Sequence, residues 1–294
     1  MKKIILILML LCLMSAVFAT DTVESVRAVD DFATVQVKTS IQEEDHMLFV
    51  VKTTTISLVS LDIKVQTVEA NVVVKKGSTS YKSVKGIVEK EDEYIYNLVS
   101  DVEYLPLQMG SGEYKVSLLG SNDGRRFKSL TSKKFKVELE ENAVFLSSSQ
   151  TVNWNDESDV AVQAKALTLD LETDEEKLKA IHSYIIENVR YDYVKAQSLP
   201  KGYIPSPEST IEEGKGICYD FAALLGSMMR SVDIPTKLVK GYSSYTPVYH
   251  AWNEVLIDEE WWIVDASTDS IFLDYKAAYV INKPDTAYVA SKVY

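Results

Sequence analysis

The stretch GKGICYDFAALLGSMMR, residues 214–230, decides how the rest of the chain is read. After Gly216 the apolar residues Phe221, Leu224, Leu225, Met228, Met229 and Val232 fall on one helical face, and Asp233-Ile234-Pro235 stops the helix. Cys218 stands in or just before the first turn, behind two glycines, Gly214 and Gly216, that let backbone approach closely. A helix N-terminus carries unpaired N–H groups and a partial positive charge, which favour a thiolate and can donate to an oxyanion formed beside the sulfur. The same cysteine also suits a buried small hydrophobe, so its surroundings have to decide.

The chain has 294 residues, two of them cysteine. Its first residues, MKKIILILMLLCLMSAVFAT, show two lysines, an apolar run from Ile4 to Phe18 and small or apolar residues around Ala19. That is the pattern of a secretory signal peptide, too short for a spanning helix, with cleavage expected after Ala19. Cys12 would leave with it, and Cys218 would be the single thiol of an exported, cell-surface or secreted protein with no integral membrane segment. An odd cysteine in an exported protein means either intermolecular pairing or a free reactive thiol. Without Lys2 and Lys3 the chain carries 29 basic against 43 acidic residues, a formal charge of −14. That balance argues against nucleic acid and other polyanions, whose binding needs a basic footprint.

A mature length of 275 residues suggests two domains. From Thr34 to about Leu139 the pattern alternates and is rich in β-branched residues (TVQVKTSI, MLFVVKTT, ANVVVKK, EYKVSLLG), with turn formers such as Ser121-Asn122-Asp123-Gly124 between runs. Around seven short strands are expected, in an all-β, immunoglobulin-like sandwich spanning residues 20–145, without a core disulfide. Residues 146–160 are polar and serine-rich and read as a linker. From 161 to 294 the period becomes helical: Val162, Ala166 and Leu169, then Leu178, Ile181, Ile185 and Val189, with Thr173 and Glu176 as a capping box. The strands YHAWNEVLI and WWIVDAS follow, so this second domain is α+β.

A reactive thiol needs a base, and there are three histidines. His46, in EEDHML, reads as a solvated turn residue, and His182, among apolar helical residues, as packing or surface. His250 opens HAWNEV, where alternation places His250, Trp252 and Glu254 on one face. The strand after the turn at Asp258–Glu260 runs back antiparallel and brings Asp265 within one or two steps of His250, although a turn without Gly or Asn leaves the register open. A carboxylate on the far ring nitrogen would hold the imidazole in the tautomer that faces the thiol. The acidic clusters Glu43-Glu44-Asp45 and Glu89–Glu93 lack the ligand spacing of a calcium loop, and no Cys/His cluster has zinc spacing, so neither metal nor cofactor is expected.

GKGICYDFAALLGSMMRSVDIPTKLVKGY, HAWNEVLI and WWIVDAST, in that order, resemble the core of the transglutaminase-like superfamily, of secreted bacterial type, over about residues 160–275. The resemblance implies a papain-like fold in which Cys218 is the nucleophile, His250 the base and Asp265 the residue that orients it. It also implies an oxyanion or substrate-cleft position for Tyr191 or Tyr193, and Trp252 is a further cleft candidate beside its core reading. Ala266 stands where the family more often has proline. The expected function is a cysteine peptidase or amidase acting on protein or cell-wall peptide. The alternatives are a cross-linking transglutaminase and a noncatalytic surface-binding protein in which the sandwich does the binding.

Overall fold

The computed structural model describes residues 24–27, 34–44, 47–58, 63–68, 70–75 and 80–294. The signal-peptide segment, Cys12 and His46 lie outside them. The strand-rich region contains β1 (Glu24–Arg27), β2 (Thr34–Glu44), β3 (Met47–Leu58), β4 (Ile63–Val68), β5 (Asn71–Lys75), β6 (Ser83–Glu89), β7 (Glu93–Asn97), β8 (Val102–Pro106), β9 (Gly112–Ser121) and β10 (Lys128–Val137). They form two antiparallel sheets, β1-β2-β3-β4-β5-β8 and β10-β9-β6-β7. Val72 and Val74 of the first sheet share one core with Val88, Tyr96, Tyr114 and Leu118 of the second. The alternation of buried and exposed residues that suggested strands is plain in β6 and β7, where one face is buried at every second residue. Ten strands are described where about seven short ones were expected, and β2 and β3 run to 11 and 12 residues.

The segment from 146 to 160 is not a free-running connection. Ser147, Ser149, Thr151 and Val152 are buried, and Val152 packs with Ala222, Ala223, Leu238 and Ala251. Its polar groups are spent on both neighbours: Gln150 donates through Nε2 to the Asn97 carbonyl at 2.7 Å, and Ser227 Oγ donates to the Asn153 carbonyl at 3.1 Å.

The remainder is a mixed α/β unit: α1 (Asp159–Thr168), α2 (Asp174–Asn188), β11 (Arg190–Tyr191), α3 (Tyr193–Gln197), α4 (Pro207–Glu213), β12 (Lys215–Gly216), α5 (Cys218–Arg230), β13 (Thr236–Ser243), β14 (Thr246–Ile257), β15 (Glu260–Val264), α6 (Ala266–Asp274) and β16 (Tyr288–Val293). The sheet order β15-β14-β13-β16 brings the last strand beside β13. The α2 face expected from sequence is the buried one, and Thr173 and Glu176 close a reciprocal cap at its start. The expected α1 face is a correction. Val162, Ala166 and Leu169 point to solvent, while Val160, Ala161, Ala164 and Thr168 are buried. Small residues let α1 lie close to α5, which size-weighted apolar periodicity does not register.

Helix α5 is buried all round from Asp220 to Arg230 and is not a one-faced helix. Its large residues, Phe221, Leu224, Leu225, Met228 and Met229, face the other helices, and its small ones, Ala222, Ala223 and Gly226, face β13, β14 and Val152. At its C-terminus the buried Arg230 donates to the carbonyls of Thr236 (2.8 Å), Ser147 (2.7 Å) and Tyr294 (3.1 Å). Burial lowers its guanidinium to about 9, and the helix C-terminus supplies a compensating partial negative charge. Replacing Arg230 by Met strands the Ser147 and Thr236 carbonyls, at about 1–3 kcal/mol each when desolvated, while the Tyr294 oxygen keeps the Leu238 N–H. Urea unfolding of Arg230→Met is therefore expected to show a loss of about 3 kcal/mol.

Candidate active site

The position of Cys218 is built from the residues before it. Gly214 closes α4 in the left-handed region (φ 62°), a conformation that favours glycine. The chain then makes the two-residue β12, parallel to β11 with Tyr191 opposite Gly216, which sets the Tyr191 segment alongside the start of α5. Ile217 is the extended N-cap and Cys218 the first helical residue. Asp220, in the third helical position, accepts from the Ile217 N–H at 2.9 Å. It is fully buried, and its carboxylate also meets the Tyr203 hydroxyl (2.6 Å) and the Lys195 ammonium (2.7 Å). A Cβ on Gly216 would lie 2.7 Å from the Asp220 Cβ, so this turn admits only glycine without a shift.

His250 and Asp265 come from β14 and the end of β15. The two strands join through a two-residue turn in which Asp258 and Glu259 both have positive φ (48° and 68°), as a type I′ hairpin requires. The resulting register, Asn253 opposite Val264, is the one that turn chemistry alone left open. His250 Nε2 is 2.8 Å from Asp265 Oδ2, and Cys218 lines the same two pockets as His250 and helps to raise its imidazole.

Asp265 caps α6 and is 1 % exposed. Oδ1 accepts from Ser267 Oγ (2.9 Å) and the Thr268 N–H (3.0 Å); Oδ2 accepts from Thr268 Oγ1 (2.6 Å) and the Tyr288 hydroxyl (2.9 Å) as well as meeting His250. Burial by itself would raise this carboxyl, but the charge and hydrogen bond of His250, with the Thr268 donors, hold it well below the usual carboxylate range. Burial likewise pulls the imidazole down, and the Asp265 carboxylate, followed by Cys218, more than reverses this and raises His250 to about 10. Tyr288 is pushed up by burial and by the Asp265 charge, so it remains a donor.

Two pockets meet at Cys218 and His250. One of about 600 Å³ is walled by Tyr191, Tyr193, Tyr245, Val248 and Phe272; the other, of about 300 Å³, by Tyr203, Tyr219, Lys240 and Tyr249. Tyr191 lines the same pocket as Cys218, and burial, then the sulfur, raise its hydroxyl well above the ordinary tyrosine value. Tyr193 is more exposed, its ring 4.9 Å from that of Tyr191. Cys218, His250, Asp265, Tyr191 and Tyr193 are thus brought together. Trp252 is not: its neighbours on the strand are on the cleft, but its own ring is 1 % exposed and packs with Val239, Ile263 and Tyr288. The expectation that it lines the cleft is corrected, because the Tyr288 ring, 5.0 Å away, packs against it together with Val239 and Ile263.

His182 is fully buried, with Nε2 2.9 Å from Asp269 Oδ2, and Lys283 also pairs with Asp269. This network ties α2 to α6 behind the cleft. Ser267, Thr268 and Tyr288 escaped the sequence reading. A Ser-Thr pair directly after an aspartate is a capping signal for the first two, whereas a tyrosine 23 residues downstream gives none. Among the described residues no group of three or more His, Cys, Asp or Glu side chains is arranged to hold a metal ion, and no helix is long and apolar enough to cross a membrane.

The His250–Asp265 pair makes stability pH-dependent. The folded value of His250, about 10, lies above its ordinary 6.5, so that contribution is complete below 6.5 and lost as pH rises through about 10. The folded Asp265 lies below its ordinary 3.8, so its contribution is complete above 3.8 and lost as pH falls. Asp265→Asn is expected to cost about 3 kcal/mol, as breaking a buried pair does. Chemical denaturation across pH is expected to show the largest penalty between the two ordinary values and a shrinking one toward pH 10.

Residues 163–266 match the sequence profile of the transglutaminase-like superfamily. Kyphoscoliosis peptidase of Homo sapiens is 29% identical over 112 residues, which are 35% of this chain and 17% of that protein. Cytokinesis protein 3 of Schizosaccharomyces pombe is 28% identical over 100 residues, 31% of this chain and 11% of that protein. The chain thus spans less than a fifth of the length of either curated relative. A solved structure of a cysteine protease candidate from Cytophaga hutchinsonii is similar at 22% identity and a TM-score of 0.38, covering 63% of this chain and 72% of that one.

Proposed function

With residues 163–266 as a transglutaminase-like superfamily core, we propose that the protein is a cysteine-nucleophile amide hydrolase, a peptidase or amidase acting on protein or cell-wall peptide outside the cytoplasm. The observation that carries this reading is the chain of contacts from Asp265 through His250 to Cys218 at the first residue of α5. Asp265 holds one ring nitrogen, so the other can only serve the sulfur. An imidazole raised to about 10 is protonated at neutral pH and so carries the proton that a departing amine needs.

In the proposed reaction the thiolate attacks an amide carbonyl, forming the S–C bond and placing charge on the carbonyl oxygen. The N–H groups at the start of α5 and the Tyr191 hydroxyl are the donors at hand for that oxygen. His250 gives its proton to the departing amine as the C–N bond breaks. Water then attacks the thioester, losing its proton to His250, and the acid leaves as the thiolate returns. Two pockets meeting at the sulfur also suit a reading in which an amine replaces water, which would make the protein a cross-linking transglutaminase.

Cys218→Ala is expected to lower amide hydrolysis by roughly four orders of magnitude or more; a variant retaining full rate on a peptide-amide substrate would sink the proposal. The active form needs His250 protonated, so kcat/KM is expected to fall on the alkaline side as pH rises through about 10. Asp265→Asn removes the charge that raises the imidazole, and the alkaline limb is expected to move to lower pH. Product analysis with a primary amine present separates hydrolysis from transfer.

A further inference from the structure

The smaller pocket holds a feature that amide hydrolysis as such does not require. Besides His250, which both pockets share, its charged lining is a single lysine, Lys240 of β13, and no acidic residue borders it, although the chain has 43 acidic residues. The ammonium lies over the rings of Tyr219 (3.6 Å) and Tyr294 (4.6 Å). Among the described residues it has neither a carboxylate partner nor a hydrogen-bond acceptor. Its register partners on the two neighbouring strands are Ala251 and Lys292, and Lys292 is occupied by Asp92. Aromatic faces hold an ammonium in place without taking up its three N–H donors. Burial lowers Lys240 to about 8, with the Cys218 sulfur acting the other way, so the group is largely cationic at neutral pH.

Lys240 is half-buried with no carboxylate beside it among the described residues, so a bound carboxylate would meet a cation whose donors are free. The larger pocket, by contrast, is aromatic and aliphatic, with no charged side chain besides His250. The substrate is therefore met by an apolar wall on one side of the sulfur and by a cation on the other. We infer that the pocket formed by Tyr203, Tyr219, Tyr249 and Lys240 is a carboxylate subsite, in which Lys240 receives an acidic side chain or the free C-terminus of the peptide bound at Cys218. The assignment rests on Cys218 being the reacting thiol.

Alkylation of Cys218 tests it without relying on hydrolysis. Iodoacetate and iodoacetamide differ in the carboxylate that Lys240 would bind, and the ratio of their rates cancels any effect of Lys240 on the reactivity of the sulfur itself. Relative to N-acetylcysteine, the full-length protein is expected to favour iodoacetate. Lys240→Gln should lower that ratio on the order of fivefold to tenfold, the scale of one close charge pair in well-solvated surroundings, and Lys240→Arg should keep it. Equal slowing of both reagents in Lys240→Gln, with the ratio unchanged, overturns the subsite and leaves Lys240 as a partner of the sulfur alone.

Protection of Cys218 from iodoacetamide by short peptides then identifies the source of the carboxylate. Peptides with Asp or Glu and an amidated end protect if the side chain is read; neutral peptides with a free end protect if the terminus is read. Protection by neither at millimolar concentration overturns peptide recognition. A Lys240-dependent ratio in a protein that cleaves no amide would leave the subsite standing and remove the hydrolase reading. Cys218-dependent hydrolysis with a Lys240-independent ratio would do the reverse.

Discussion

The cleft depends on a buried negative charge. Asp265 is 1 % exposed, and moving a carboxylate out of water costs several kcal/mol even after relaxation. The cost is offset because Ser267 and Thr268 of α6, His250 of β14 and Tyr288 of β16 all point polar hydrogens at it. Hydrogen bonds to a charged group contribute about 1.5–3 kcal/mol each, so a set of this size is what the burial requires. The requirement explains the sheet order. Tyr288 reaches the carboxylate only because β16 returns to pair with β13, with Ser243 opposite Tyr288. Satisfying Asp265 therefore fixes the imidazole, and the imidazole's free nitrogen fixes where a sulfur has to be.

The sulfur is held from the opposite direction. Burial on every side leaves α5 no room to rotate, and Asp220 pins its first turn through the Ile217 N–H. Asn253 joins the two halves, donating from Nδ2 to the Ala222 carbonyl at 2.9 Å and the Lys237 carbonyl at 3.1 Å. It stands three residues from His250, and Ala222 stands four from Cys218. The helix and the strand are thus locked one turn away from the reacting atoms. Placement to a fraction of an ångström demands such support, because loosely held groups lose the benefit of orientation.

The sequence carried this much of the design because its signals were local. The α2 stripe of Leu178, Ile181 and Ile185 and the Thr173–Glu176 cap lie within single elements, as does the glycine-led start of α5. Where neighbours far along the chain decide, the signals fade. The α1 face is set by small residues against α5, so Val162 and Leu169, the larger ones, misled. Trp252 and His250 share one face of β14, yet Tyr288 packs over the first and leaves the second on the cleft. The serine-rich stretch from 146 to 160 has the composition of a solvated connection, and its burial comes from backbone carbonyls that accept from Arg230 and Ser227. Asp258-Glu259 supplies positive φ without glycine, which no turn preference anticipates.

Charge placement ties the site together. The chain is acidic, but its acidic residues do not line the cleft; Asp265 sits behind His250. On the proposed chemistry, with the sulfur as thiolate, the site comprises two negative charges, Cys218 and Asp265, and two positive ones, His250 and Lys240. Without Lys240 the same set would carry a net negative charge. On the proposed chemistry acylation removes the charge from sulfur, and His250 passes its proton to the leaving amine. Asp265 and Lys240 then remain as one negative and one positive charge on either side of a neutral imidazole, so the set stays balanced through acylation.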